Sequence, residues 1–214
     1  MKKILTIISI VFFMTANIFA QNDDFIDRYK EITDTIVINK LKSEISETFK
    51  KIESIECNYL MEKRIPMLYK FPDTEGTMRY KKSEPSELFW SSDSPQKSNF
   101  TLKNDSIEFV KSNETKKMAV DEHPIFREVS QIIKSGEKHG SFVDESMFSV
   151  CFDKCEGDLY VTLYPKKNRM KKIIDHFYIK MDYTTKVVKQ INVYDANDSE
   201  TSIILSDVKI ENLK

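Results

Sequence analysis

Apolar residues fall at Ile38, Leu41, Ile45, Phe49 and Ile52, three or four positions apart with lysines and glutamates between them. That spacing aligns them as one stripe on a helix, and the stripe must lie on something apolar. After Ile52 the period shortens to two. Alternating segments separated by polar turns predict strands at about 54–65, 75–82, 86–91, 98–103, 106–111 and 115–120, and again at about 146–153, 158–165, 171–183, 186–195 and 199–209. Asn104-Asp105, Asn113-Glu114, Thr184-Thr185 and Ala196-Asn197-Asp198-Ser199 supply turn chemistry between them. Connections this short exclude parallel crossovers, so the strands form an antiparallel meander. Helical spacing returns once within it, from His123 to Ile133, with Pro124 suited to a first helical turn and Gly136 beyond the end. Asp23 to Tyr29 carries a weaker signal of a helical turn.

The alternation sorts side chains onto faces. Met78 and Tyr80 oppose Thr77 and Arg79, and Phe148, Val150 and Phe152 oppose Ser149, Cys151 and Asp153. Phe177, Ile179 and Met181 oppose His176, Tyr178 and Lys180 in the same way. A sheet with one apolar face needs a cover, and the two helices are the candidates. The predicted fold is therefore mainly β with α: a large curved antiparallel sheet of about eleven strands with helices on its concave side. Two helices are little material for so wide a concavity, so either the sheet flattens or an apolar cavity remains beneath them. Tyr59, Met61, Met78, Tyr80, Trp90, Phe100, Phe109, Met118, Phe148 and Phe152 would form its wall. The same residues could instead pack on one another as an ordinary core. Methionine repacks without strain and suits a flexible acyl ligand, so the composition is compatible with both.

Charge and length narrow the setting. Met1 to Ala20 has Lys2-Lys3, an apolar run from Ile4 to Phe13 and a small residue at Ala20 before Gln21, the three parts of a cleavable export signal. The apolar run is short for a membrane span, and no cysteine stands near the cleavage point to accept lipid. Cleavage near Ala20 leaves a single domain over 21–214, expected to be a soluble monomer outside the cytoplasm. Without Lys2 and Lys3 the chain has 31 basic residues against 34 acidic ones, a formal charge of −3, which argues against nucleic acid as a partner. Cys57, Cys151 and Cys155 are an odd number for an oxidising compartment. Cys151 and Cys155 flank a predicted hairpin turn and either bridge or remain ordinary thiols.

Four stretches carry a family resemblance. Phe49 to Lys63 resembles the helix-to-first-strand passage of the LolA family of periplasmic lipoprotein carriers. Gly76 to Lys81 followed by Pro85 to Trp90 is similar to that family's next hairpin, with its glycine, aromatic-basic strand, proline and Phe-Trp pair. Leu102 to Val110 resembles the following turn, where the family usually has Asp-Gly, and Leu163-Tyr164-Pro165-Lys166 resembles its Leu-x-Pro-Lys strand end. The likeness runs in order along nearly the whole chain after the signal. It implies an unclosed barrel whose helices act as a lid over a lipid-binding cavity. It also implies a non-enzymatic chaperone that takes acylated lipoproteins, or other lipids, from an inner-membrane exporter to an outer-membrane acceptor, with no cofactor. Under that reading Leu41, Ile45 and Phe49 on one helix and Ile125, Phe126, Val129 and Ile132 on the other are the lid contacts. The family's Lys-Arg-Pro, whose arginine holds the lid closed, is replaced here by Lys81-Lys82-Ser83-Glu84-Pro85, so Lys82 stands by position as the latch. Alternatives of the same resemblance are a sensor that binds a membrane-bound partner, a specialised shuttle for another acyl ligand, and an outer-membrane receptor.

Other chemistry has little purchase. His123, His139 and His176 lack the paired spacing of metal ligands, and no nucleophile elbow or phosphate-cradling glycine loop occurs in a chain with four glycines. Lys166 to Lys172 places five cations in seven residues, either a solvated hairpin tip or a docking surface for an acidic partner or anionic lipid headgroups. Asp34-Thr35-Ile36 and Asp105-Ser106-Ile107 resemble a short O-glycosylation triplet of some bacterial exported proteins.

Overall fold

The computed structural model describes residues 29–66, 71–83, 85–103, 105–111, 114–120 and 143–213. Asp34 opens helix α1 (Thr35–Lys51): its carboxylate accepts from the backbone N–H groups of Ile36 at 2.7 Å and Val37 at 3.3 Å. Lys50 and Lys51 occupy the last turn, where cations suit the exposed carbonyls. Ile52 is already extended, so the helix passes into strand β2 (Ile52–Arg64) without a loop. Of the predicted stripe, Leu41 is 2% exposed and Ile45 0%.

The remaining strands are β1 (Lys30–Glu31), β3 (Thr74–Lys81), β4 (Glu87–Ser94), β5 (Ser98–Lys103), β6 (Ser106–Lys111), β7 (Glu114–Ala119), β8 (Phe148–Cys155), β9 (Asp158–Pro165), β10 (Ile174–Asp182), β11 (Val188–Asp195) and β12 (Glu200–Asn212). All twelve join in one antiparallel sheet ordered β1-β8-β9-β10-β11-β12-β2-β3-β4-β5-β6-β7, which ends at β1 and β7 and is not closed into a barrel. The large antiparallel sheet expected from the alternation, unclosed as the resemblance implies, is thus the observed fold. Neighbours in sequence are neighbours in the sheet except at two places, between β1 and β2 and between β7 and β8. β1 pairs with β8 instead, β12 returns to pair with β2 at the centre, and β7 and β8 lie far apart, joined through 121–142, outside the described residues.

Three details differ from the sequence reading. A twelfth strand, β1, pairs Lys30 with Lys154 and Glu31 with Asp153; two residues are too few to show a period. Residues 171–173 are not strand: Asn168–Lys171 forms a single helical turn, α2, and β10 begins at Ile174. Met170 is the reason, since burying it at 1% exposure turns the chain inward before the next strand. Cys151 and Cys155 do not flank a turn but share β8; four residues of strand separate them by about 13 Å, beyond disulfide reach. The turn lies beyond them at Glu156 and Gly157, both with positive φ, and all three cysteines are free thiols. The helix predicted over 123–133 and the export signal lie outside the described residues.

The main core sits between α1 and the strands β8 to β10. Leu41 and Ile45 pack with Phe148, Phe152, Leu159, Val161, Leu163, Met170 and Met181, and Ile38 and Phe49 close its margin. An ion pair from Glu44 to the buried Lys186 ammonium at 3.1 Å fixes the helix over the β10-β11 hairpin. Lys42 bonds Glu145 at 2.8 Å, beside the start of β8. A second, smaller cluster of Leu102, Ile107 and Val120, flanked by Leu88, Phe100 and Met118, belongs to β4 to β7.

Candidate functional site

Strand register decides which side chains share a face, because directly paired residues in an antiparallel ladder project to the same side. Cys57, Met78, Trp90, Phe100 and Phe109 pair in succession from β2 to β6 and form one row. Ile55, Tyr80, Leu88, Leu102, Ile107 and Met118 form the next, from β2 to β7. Met61 leads the other way, through Ile203, Ile191, Ile179 and Val161 to Phe152 on β8. All ten residues proposed from alternation as a cavity wall therefore lie on one continuous apolar face, the face that α1 covers in part.

Their environments differ. Phe148 and Phe152 are each 1% exposed and belong to the core beneath α1, as do the helix residues Leu41, Ile45 and Phe49. Met61, Met78, Tyr80, Trp90, Phe100, Phe109 and Met118 are only half-buried. Tyr59 is buried and its ring meets Trp90 at 4.6 Å with the planes tilted by 53°. Across from Tyr59 stands Gly76, where a Cβ would come within 1.8 Å of the Ser91 carbonyl oxygen, so only glycine permits this approach of β3 to β4. Ile125, Phe126, Val129 and Ile132 lie outside the described residues.

Tyr59 and Cys57 form a buried part of the face. Burial pushes the Tyr59 phenol up from its ordinary pKa, opposed in part by Trp90 and Ser92, although neither completes a well-formed hydrogen bond to the Tyr59 hydroxyl. Burial, reinforced by Glu56, likewise raises the Cys57 thiol. Both groups are thereby held neutral, which suits an apolar ligand and gives no activated nucleophile. No cluster of three or more His, Cys, Asp or Glu able to hold a metal occurs among the described residues.

The opposite face is polar and aromatic. Arg79 lies there with its guanidinium 4.6 Å from the Phe89 ring centre. Gln190, Asn192, Tyr194, Glu200 and Ser202 form a hydrogen-bonded network, for example Asn192 Nδ2 to Glu200 Oε1 at 3.0 Å. Lys82 ties the end of β3 to the helix: its backbone N–H donates to Glu53 O at 2.8 Å, and its Nζ to Lys50 O at 3.2 Å, in the last turn of α1. The list drawn from sequence lacked Ile55, Leu88, Leu102, Ile107, Ile203 and Leu205. Ile55, Leu88, Leu102 and Ile107 have the same parity as an included residue of their own strand, so the alternation already carried their signal; Ile203 and Leu205 lie on β12, which contributed no wall residue, and only its register with Met61 and Tyr59 of β2 puts them on this face.

The sequence matches no model of a known protein family and no curated protein. Solved structures are similar to it in shape. A LolA superfamily protein from Nitrosomonas europaea is 9% identical with a TM-score of 0.41, the match covering 82% of this chain and 94% of that one. The Mycobacterium tuberculosis lipoprotein LppX is 7% identical with a TM-score of 0.48, covering 82% and 96%. A putative outer membrane lipoprotein-sorting protein domain from Vibrio parahaemolyticus is 9% identical with a TM-score of 0.43, covering 80% and 91%.

Proposed function

We propose that the protein is a periplasmic carrier that shields the acyl chains of lipoproteins, or of another acylated lipid, on the apolar face of β2 to β7. The observation that carries this reading is the uneven cover of one continuous face: α1 is packed down on the β8 to β10 half, while a field of methionine and aromatic side chains on the other half remains half-buried. A buried acyl methylene contributes about 0.8 kcal/mol, so ten of them supply roughly 8 kcal/mol before the costs of ordering. Flexible Met61, Met78 and Met118 among rigid rings let the face adapt to chains of different length.

Release requires a competitor for the face, or the carrier would become a sink. In this proposal the apolar side chains of 123–133 compete as a lid, and Lys82 holds the α1 end of the assembly through Lys50. Phe148, Phe152, Leu41 and Ile45 act as the fixed floor on which the site is built. Delivery from an inner-membrane exporter to an outer-membrane acceptor, and export by way of Met1 to Ala20, belong to the same proposal.

Purifying the chain from its native envelope and identifying co-purified lipid by mass spectrometry tests the reading. Triacylated lipoprotein is the expected ligand; another acyl lipid would make the protein a specialised shuttle, and a lipid-free protein would favour the sensor. Phe126→Glu should abolish acyl retention while export continues. Undiminished retention in that variant would remove the lid from the account.

A further inference from the structure

The basic segment at the β9-β10 end of the sheet is rigid. Met170 is plugged into the core at 1% exposure, and Met170 N and Lys171 N both donate to Lys167 O, at 3.0 and 3.1 Å. Ile173 O accepts from Ala196 N at 3.0 Å, and Lys166 N donates to Met147 O at 2.8 Å, so the turn is held on both sides by residues just beyond the end of β11 and before the start of β8. With Met170 drawn inward, Lys167, Arg169, Lys171 and Lys172 are all exposed. None of these four side chains has an ion pair or hydrogen bond among the described residues. The nearby acids are already engaged: Glu145 by Lys42 at 2.8 Å, and Asp175 by His176 Nδ1 at 2.7 Å.

Beside the cations runs an open groove of about 400 Å³, lined by Ser149, Tyr164, Lys166, Lys171 and Asp175. Tyr164 is 45% exposed, yet its ring is held in place, 5.5 Å from the ring of His176, which stacks on Tyr194 at 4.3 Å. A solvated turn has no need of an ordered, exposed aromatic ring next to unpaired cations.

We propose that this end of the molecule is a docking surface for an anionic lipid bilayer. Cations near such a surface are attracted within a Debye length, and a tyrosine with a polar tip suits the headgroup level. Four exposed cationic heads, set on one turn and with no ion pair or hydrogen bond among the described residues, match an array of lipid phosphates better than the set carboxylate pattern of one protein. The surface is formed by β8, β9, α2 and β10, away from the half-buried face of β2 to β7. The inference therefore goes beyond the carrier reading and does not rest on it.

The test is co-flotation of the exported chain with vesicles of phosphatidylcholine alone, or with a third of the lipid replaced by phosphatidylglycerol. Binding is expected only with phosphatidylglycerol and should vanish in high salt. Each cation lost weakens association about fivefold, so Lys171→Gln with Lys172→Gln should weaken it about twenty-five-fold, and Tyr164→Ala should weaken it further. These residues are exposed, and unchanged thermal unfolding of the variants confirms that the effect is at the surface. Failure to float with phosphatidylglycerol vesicles at low salt would overturn the proposal. So would flotation that the double substitution leaves unchanged, or binding confined to an acidic envelope protein.

Discussion

The two halves of the sheet are built from the same alternation but finished differently. In β8 to β10 the apolar face meets a helix along its whole stripe, and Phe148, Phe152, Leu159, Val161 and Met181 are all at 1% exposure or below. In β2 to β7 the fully buried residues are fewer, and the widest side chains, Trp90, Phe100, Phe109, Met78 and Met118, keep part of their surface. The first half is thus the better packed, and in the proposed function the second is the one that takes the ligand. A common apolar face connects them, packed under α1 on one side and half-buried on the other.

The strongest way to break this division is to cut the same group from each half. Phe152→Ala should cost about 3–5 kcal/mol of unfolding free energy, measured by denaturant titration, because its site is closed by α1 and cannot collapse. Phe100→Ala should cost less, about 1–2 kcal/mol, since its ring already keeps contact with solvent. Its larger effect should be on acyl affinity, weakened about tenfold or more in a binding titration. Equal stability losses from the two substitutions would erase the distinction between the halves.

The smallest expected effect is a pH dependence arising from the carboxylates and lysine around the β10-β11 hairpin. The Thr185 backbone N–H, with Lys189 and Thr184, holds the Asp182 carboxyl well below the usual carboxylate range. At Asp158 burial acts upward, but Lys189 and Lys180 outweigh it and hold the carboxyl low. A carboxyl with a depressed folded pKa contributes stability above its unfolded value, about 4, and loses it as pH falls toward the folded value. Lys189 is raised by Asp158 and Asp182, so its contribution is present below the ordinary lysine pKa, about 10.4, and is lost as pH rises through the folded one. The β10-β11 hairpin should thus be firmest between these limits. Thermal unfolding followed from neutral pH to below about 4 should fall less steeply in Asp182→Asn than in the parent.

Much of this was legible before the structure. Alternation located eleven strands because each has one wet and one dry side, and the Ile38 to Ile52 stripe located α1 because helix and sheet bury complementary faces. What alternation lacks is register. It could place Trp90 and Phe100 each on an apolar face, but not opposite one another, and it could not tell Phe152, sealed under α1, from Phe109, half open, since both have the same parity in their strands. β1 escaped because two residues have no period, and α2 because one buried methionine, Met170, outweighs the charges around it. The Lys82 to Lys50 bond was foreseen only as a position; that the acceptor is a carbonyl in the last turn of α1 depends on how helix and strand meet.

The chain contains a single tryptophan, Trp90, in the middle of the half-buried face. Titrating the protein with an acyl chain brominated along its length should quench Trp90 fluorescence in a saturable manner, because bromine must approach the indole for quenching to occur. Unbrominated chains should compete the quenching away. Acyl binding demonstrated by any other means, with Trp90 fluorescence left unquenched, would contradict the assignment of the ligand to β2 to β7.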